Sequence, residues 1–189
     1  MLLEEEDLFL PNRLINNVNK GSFGHVVIAG GEKSGASILA GEAALRFGAG
    51  LVTIVQKGSQ KKAFEVPPEL MTSSAMPEKV KAVAFGMGLG RDENTIKPYF
   101  DWLLENQGVK CVVDADALYS EHLKEFVSKK EKGIVLTPHP KEFQAMLKNC
   151  EIGDYSIEEV VVNRLKLMEK FCRKFPKKTL LVKGEDFYG

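Results

Sequence analysis

The chain lacks the residue patterns that announce a chemistry outright. Its three cysteines, Cys111, Cys150 and Cys172, are widely spaced and form no C-x-x-C, so neither a disulfide framework nor a zinc site is indicated. Cys111 and Cys172 lie in apolar patterns and are expected in the core. No charge predominates: 26 basic residues balance 26 acidic ones, which removes the electrostatic case for nucleic acid or a membrane surface as partner. A small-molecule ligand is the expectation that remains. No apolar run approaches the length of a membrane span, and the N-terminus, "MLLEEEDLF", is acidic where a signal peptide would be basic, so the expected location is cytoplasmic. Neither a G-x-G-x-x-G dinucleotide fingerprint nor a G-x-x-x-x-G-K-[ST] phosphate loop occurs, and there is no internal repeat.

What is present suits one domain of ordinary size, since 189 residues with 44% hydrophobic content can bury a sizeable core. Short apolar runs recur at 26–29, 51–55, 82–85, 111–113, 134–136 and 179–182, continuous instead of alternating, as in buried parallel strands. Helical spacing lies between them. Ala36, Leu39, Ala40, Ala43, Ala44 and Phe47 read as one apolar stripe, with Ser34 placed to cap its start and Gly48 to end it. Near the end, Ser156 and Glu159 form a capping-box pattern ahead of a stripe of Val161, Leu165, Met168, Cys172 and Phe175. This alternation predicts an α/β domain with a mostly parallel central sheet and helices on both faces. Residues 1–19 read as a lead-in to a domain over 20–189, and the polar, proline-containing stretch 57–79 as a surface segment.

In such a sheet ligands sit beyond the carboxyl ends of the strands, so the residues that follow each apolar run carry the chemistry. After the first comes "GGEKSGAS" (30–37), a glycine turn opening a helix, whose free N–H groups suit a phosphate. After 82–85 comes "GMGLG", with Gly86, Gly88 and Gly90 able to take positive φ and let a ligand approach the backbone, or simply to make a turn. After 111–113 come Asp114 and Asp116, which could polarise a hydroxyl or hold magnesium through water; alternatively Asp116 is a helix N-cap. The run "IVLTPHPKEF" (134–143) ends at His139 between two prolines that restrict the backbone on either side, followed by Glu142 in the first turn of a helix, where an acid also complements the dipole. After 179–182 come Lys183 and Gly184, a cation and a glycine suited to a nucleotide phosphate.

With these residues in view, the sequence resembles the ADP/ATP-dependent NAD(P)H-hydrate dehydratases, the YjeF carboxy-terminal domain family of the ribokinase-like superfamily. The matching elements run in order: "KGSFGHVVIAGG" (20–31), "AALRFGAGLVT" (43–53), "PELM" (68–71), "GMGLG" (86–90), "VVDADAL" (112–118), "LTPHPKEF" (136–143) and "LLVKG" (180–184). The resemblance implies a ribokinase-like three-layer sandwich that repairs hydrated NADH or NADPH, using ADP or ATP with Mg2+ to phosphorylate the ring hydroxyl before phosphate is lost. It implies dinucleotide contacts from Ala36, Gly88 and His139, with Gly86 and Gly90 flanking them, and a nucleotide site at Lys183 and Gly184. Asp114, Asp116 and Glu142 would lie in the metal and phosphate region, with no residue assigned as a certain metal ligand. A homo-oligomer is also implied, with no nucleic acid or membrane partner.

Related vitamin kinases carry T-P-N-x-x-E where this chain has His139 at the Asn position, which favours the dehydratase over a kinase. Met87, Tyr119 and Phe187 depart from the family pattern, which commonly has Pro, Asn and Thr there. The family's G-G-[ST]-G-D segment, whose Asp acts as general base, does not occur before the chain stops at Gly189; Gly153-Asp154 reads as a loop. The expectation is therefore a domain incomplete at its C-terminus, without its last strands and helices, with no catalytic Asp to assign and weak turnover at most. The competing readings are a small-molecule or vitamin kinase on the same fold and a catalytically inactive nucleotide-binding protein.

Overall fold

The computed structural model describes residues 20–31, 33–56 and 66–184. The lead-in at 1–19, the first part of the 57–79 stretch and the departure at Phe187 lie outside the described residues. Seven strands form one parallel sheet: β1 (His25–Gly30), β2 (Leu51–Gln56), β3 (Met71–Ser73), β4 (Ala82–Phe85), β5 (Lys110–Val113), β6 (Ile134–Leu136) and β7 (Thr179–Leu180), in the spatial order β3-β2-β1-β4-β5-β6-β7. All six expected apolar runs are strands. The last is only two residues long, although the Leu181 N–H donating to the Leu136 carbonyl (2.9 Å) and the Lys183 N–H donating to the Pro138 carbonyl (2.7 Å) carry its pairing onward. β3 was not expected. It lies within the polar stretch and survives as a short edge strand, where exposed polar residues cost little.

The helices are α1 (Ser34–Phe47), α2 (Glu93–Glu105), α3 (Leu123–Lys129), α4 (Pro140–Asn149), α5 (Ile157–Val162) and α6 (Arg164–Lys174), with a 3-10 turn at Ala115–Tyr119. One face of the sheet, carrying Val27, Val83, Phe85, Cys111, Val113, Ile134 and Leu136, packs on α2, α3, α4 and α6. Its centre is aromatic: Phe85 meets Phe100 edge-on at 5.1 Å, and Phe100 meets Phe126 at 4.7 Å. Lys130 is fully buried in this layer because its ammonium donates to the carbonyls of Leu103, Asn106 and Gln107, which supplies donors to the end of α2.

The opposite face carries α1 over Ile28, Val52, Ile54 and Leu70. The expected stripe of α1 is only half right. Ala40 and Ala44 pack inward with Ile38 and Leu45, while Ala36, Leu39, Ala43 and Phe47 are exposed. The helix is rotated so that Ser37 and Gly41 form its closest seam; a Cβ on Gly41 would stand 3.0 Å from Leu70, so glycine sets the spacing. Lys33, not Ser34, occupies the cap position, and Gly48 ends the helix as expected at φ 116°. Beyond α1, Val112 of β5 and Leu181, just past β7, are exposed at 37% and 60%. Thus β1 and β2 are buried on both faces, whereas β5 alternates exposed and buried.

The C-terminal helical segment also differs from expectation. The capping box of Ser156 and Glu159 is formed, but the helix breaks at Asn163. The buried positions are Val160, Leu167, Phe171 and Phe175; Val161, Leu165 and Cys172 are exposed, because the break turns α6 relative to a continuous helix. Of the two cysteines expected in the core, only Cys111 is there, joined by Cys150.

Candidate functional site

Strand addition runs outward from β1 through β2 to β3, then returns to the other side of β1 at β4. The carboxyl ends of β1 and β4 therefore flank the switch point at which ligands bind in open α/β sheets. The two loops that begin there touch. The Lys33 N–H donates to the Gly88 carbonyl at 3.2 Å, and a Cβ on Gly31 would stand 2.3 Å from the Gly88 oxygen. Gly86, at φ 112°, faces the backbone of the next loop so closely that a Cβ would lie 1.8 Å from the Asp114 carbonyl oxygen. The glycines thus set the spacing of three adjacent loops, and Ala36 lies exposed in the first turn of α1 beside them.

The next loop leaves β5 through Asp114, which is extended, then turns at Ala115, a non-glycine residue at φ 48°. Here the N-cap alternative for Asp116 is decided. Asp116 is no N-cap: its Oδ2 accepts the Gly90 N–H at 3.0 Å, and its Oδ1 lies 3.8 Å from Arg91 Nε, tying this loop to the glycine loop. Asp114 occupies the cap position without a capping bond and instead accepts from Lys183 Nζ at 2.7 Å. The two carboxylates thus serve different neighbours.

His139 is held by a different device from the one its prolines suggest. It is the N-cap of α4, with Nδ1 accepting from the N–H groups of Lys141 (3.1 Å) and Glu142 (3.4 Å), while Pro140 takes the first helical position. Glu142 completes the capping box by accepting the His139 N–H at 2.7 Å. An Nδ1 that accepts leaves the proton of the neutral ring on Nε2, which lies 3.1 Å from Glu142 Oε1. Both ring nitrogens are therefore engaged within the protein, and the side chain still presents 44% of its surface outward. Glu142 is 5% exposed, and Lys183 Nζ lies 3.9 Å from its Oε2. One ammonium on β7's extension thus faces carboxylates from the β5 and β6 loops.

Ala36, Gly86, Gly88, Gly90, Asp114, Asp116, His139, Glu142, Lys183 and Gly184 all lie at the same end of the sheet. They do not form a metal cage. Among the described residues no three acidic, histidine or cysteine side chains cluster for a cation, and the three carboxylates each already have a cation or an N–H as partner. Asp114 and Asp116, the pair read as able to polarise a hydroxyl or hold magnesium through water, each engage a different neighbour here. Gly153-Asp154 is indeed loop, with Asp154 paired to Lys148 at 2.8 Å.

Comparison with known proteins bears on the same edge. The family described as NAD(P)H-hydrate dehydratase, Carb_kinase, matches residues 25–187. The chain belongs to the NAD(P)H-hydrate dehydratase family. It is 39% identical over 183 residues to the bifunctional NAD(P)H-hydrate repair enzyme Nnr of Helicobacter pylori, covering 97% of this chain and 37% of that protein. It is 31% identical over 195 residues to the ADP-dependent (S)-NAD(P)H-hydrate dehydratase of Nitrosopumilus maritimus, covering 93% of this chain and 64% of that protein. Among solved structures, the ADP/ATP-dependent NAD(P)H-hydrate dehydratase of Bacillus subtilis, co-crystallized with ATP/Mg2+, superposes with a TM-score of 0.70 at 25% identity over 93% of this chain and 62% of that one. A ribokinase-like superfamily protein from Enterococcus faecalis gives 0.65 at 22% identity over 90% and 61%, a likeness of fold. The chain thus spans between 37% and 64% of the length of these relatives. Among the described residues no helix is long and apolar enough to cross a membrane.

Sequence reasoning noticed Tyr119 only as a departure and passed over Arg91, Lys141 and Gln144. These residues line a cleft beside the edge. The guanidinium of Arg91 lies 3.7 Å above the Tyr119 ring, a contact that no linear spacing announces.

Proposed function

We propose that the protein serves nucleotide-dependent dehydration of hydrated NADH or NADPH. The terminal phosphoryl of ATP or ADP passes to the ring hydroxyl as its bond to the leaving nucleotide breaks. Loss of that phosphate, together with a ring proton, then restores the reduced nicotinamide. The observation that carries this reading is the meeting of the glycine loop, His139 and Lys183 at one edge of the sheet in a chain of this family.

In this reading the loop Gly86–Gly90 and Ala36 admit the hydrated ring close to the backbone, and His139, fixed by its capping bonds, presents its exposed ring surface as an orienting wall. Lys183 exchanges its carboxylate partners for nucleotide phosphate, and Gly184 lets the nucleotide approach. Magnesium bound together with the nucleotide would supply neutralisation of the phosphate charge. Residues 20–189 act as the ribokinase-like domain, preceded by the lead-in 1–19, in a cytoplasmic homo-oligomer. No general base is assigned, since no G-G-[ST]-G-D element occurs in residues 1–189.

The test gives purified protein hydrated NADPH or NADH with ATP or ADP and magnesium, and follows both hydrate binding and the reduced-nicotinamide absorbance. Saturable hydrate binding is expected, with weak turnover at most from residues 1–189. Phosphorylation of a vitamin-type alcohol with no affinity for the hydrate would replace this reading with the kinase one. Nucleotide affinity with neither hydrate binding nor turnover would favour the inactive nucleotide-binding protein.

A further inference from the structure

A cleft of about 650 Å³ opens on the helical side of the edge, lined by Arg91, Tyr119, Lys141, Gln144, Lys148 and Ser156 among others. It is continuous with the candidate site: Arg91 follows Gly90 and lies 3.8 Å from Asp116, and the Lys141 N–H donates to His139 Nδ1. Its wall is a planar platform, the Arg91 guanidinium 3.7 Å over the Tyr119 ring, and such surfaces suit a flat heteroaromatic base. Its charge is cationic in a chain of zero net charge. Of its three cations, Lys148 is held by Asp154 at 2.8 Å and Arg91 lies at 3.8 Å from Asp116, while Lys141 has no carboxylate at ion-pair distance among the described residues.

We propose that this cleft takes the adenosine end of the hydrated dinucleotide, and that Lys141 and Arg91 bind the 2′-phosphate that distinguishes NADPH hydrate from NADH hydrate. The inference rests on the dehydratase reading. Asp114 and the Lys183 it pairs with belong to the other side: Val113 packs in the helical layer, so the extended residue after it alternates toward the opposite face of the sheet. Lys183 also lies 3.9 Å from Glu142 Oε2, so the phosphate-donating nucleotide and the adenosine end of the substrate would meet this edge from adjacent faces. Tyr119 supplies the ring on which the Arg91 guanidinium rests.

The test is an NMR titration with adenosine 2′,5′-bisphosphate, read at the backbone amides of Lys141 and Gln144 in the protein and in Lys141→Gln and Tyr119→Asn variants. Lys141 is exposed on α4, so its replacement leaves the packing intact. Saturable shifts are expected, weakened at least ~tenfold by Lys141→Gln, as suits loss of a charge-assisted phosphate contact, with adenosine 5′-diphosphate failing to produce them. Absent shifts, equal affinity in the Lys141 variant, or the same shifts from adenosine 5′-diphosphate would overturn the assignment. The probe has no nicotinamide and transfers no phosphoryl group, so its outcome is separate from that of the turnover assay. Binding of the probe without hydrate binding would sink the dehydratase reading; turnover on NADPH hydrate that Lys141→Gln leaves unchanged would sink the cleft.

Discussion

Asp114 and Lys183 stand 69 residues apart in the chain and meet at 2.7 Å where β5 ends and the extension of β7 passes. The pair is partly exposed, at 44% for the lysine side chain and 22% for the aspartate, so its contribution to stability is small, on the order of 1 kcal/mol or less. On the proposed reading its consequence is for ligand binding, because the carboxylate and a nucleotide phosphate would compete for one ammonium. Lys183→Met is expected to weaken MgATP binding at least ~tenfold, while Asp114→Asn leaves it unchanged or tighter. Calorimetric titration distinguishes the cases. Weaker binding in Asp114→Asn would mean that the aspartate itself handles the metal and phosphate.

His139 caps α4, and on the proposed reading it also forms a wall for the ligand. Asparagine caps helices well, so His139→Asn is expected to keep thermal stability near that of the parent, while His139→Ala loses about 1 kcal/mol, the usual cost of deleting a cap. Both variants are expected to lose affinity for the hydrated dinucleotide. Thermal melts paired with hydrate titration test this. Equal destabilisation by both substitutions would contradict capping by the ring, and unaltered hydrate affinity in His139→Asn would contradict the ligand role.

The architecture was legible in the sequence, and the packing faces were not. Apolar runs mark strands because a buried strand needs side chains on both faces, and all six were found. Rotation of a helix about its axis is set by what it packs on. In α1 the seam is Ser37 and Gly41, so the helix can sit close to the sheet while Leu39 and Phe47, which read as core, remain outside. The break at Asn163 had the same effect on α6. At the candidate site, the identity and edge of each residue could be read from strand ends. The partners could not: that Asp116 holds the glycine loop and Asp114 holds Lys183 depends on Ala115 turning the chain at positive φ, which a "DADAL" string does not announce.

Of the described glycines, Gly86 leaves the least room for a side chain. At φ 112° and with the Asp114 carbonyl 1.8 Å from a built Cβ, Gly86→Ala adds backbone strain to a direct clash. A loss of more than ~3 kcal/mol, or failure to fold, is expected. Gly90→Ala provides the control, since it shares a positive φ (83°) but meets nothing within 4 Å. Urea unfolding should rank Gly86→Ala far below Gly90→Ala, and equal midpoints would contradict the loop packing described.

His25 gives the fold an acid-side weakness. Its ring bonds Thr53 Oγ1 at 2.7 Å, and burial holds its pKa below the ordinary 6.5. The unfolded chain therefore binds the proton more readily, so stability is full above about pH 6.5 and declines as pH falls through the depressed folded value. His25→Gln should flatten that part of the profile. Thermal melts between about pH 5 and 8, the range in which histidine titrates, check it; an unchanged slope in the variant would assign the decline to other groups.

The carboxyl edge of the sheet is tested by an NMR titration of the protein first with MgATP and then with hydrated NADPH, following the backbone amides along that edge. MgATP is expected to move Lys183 and Gly184, and the hydrate to move Gly88 and the His139 region, each saturably and without displacing the other. Binding of neither ligand, or shifts confined to residues away from this edge, would contradict the assignment of the edge as the site of NAD(P)H-hydrate repair.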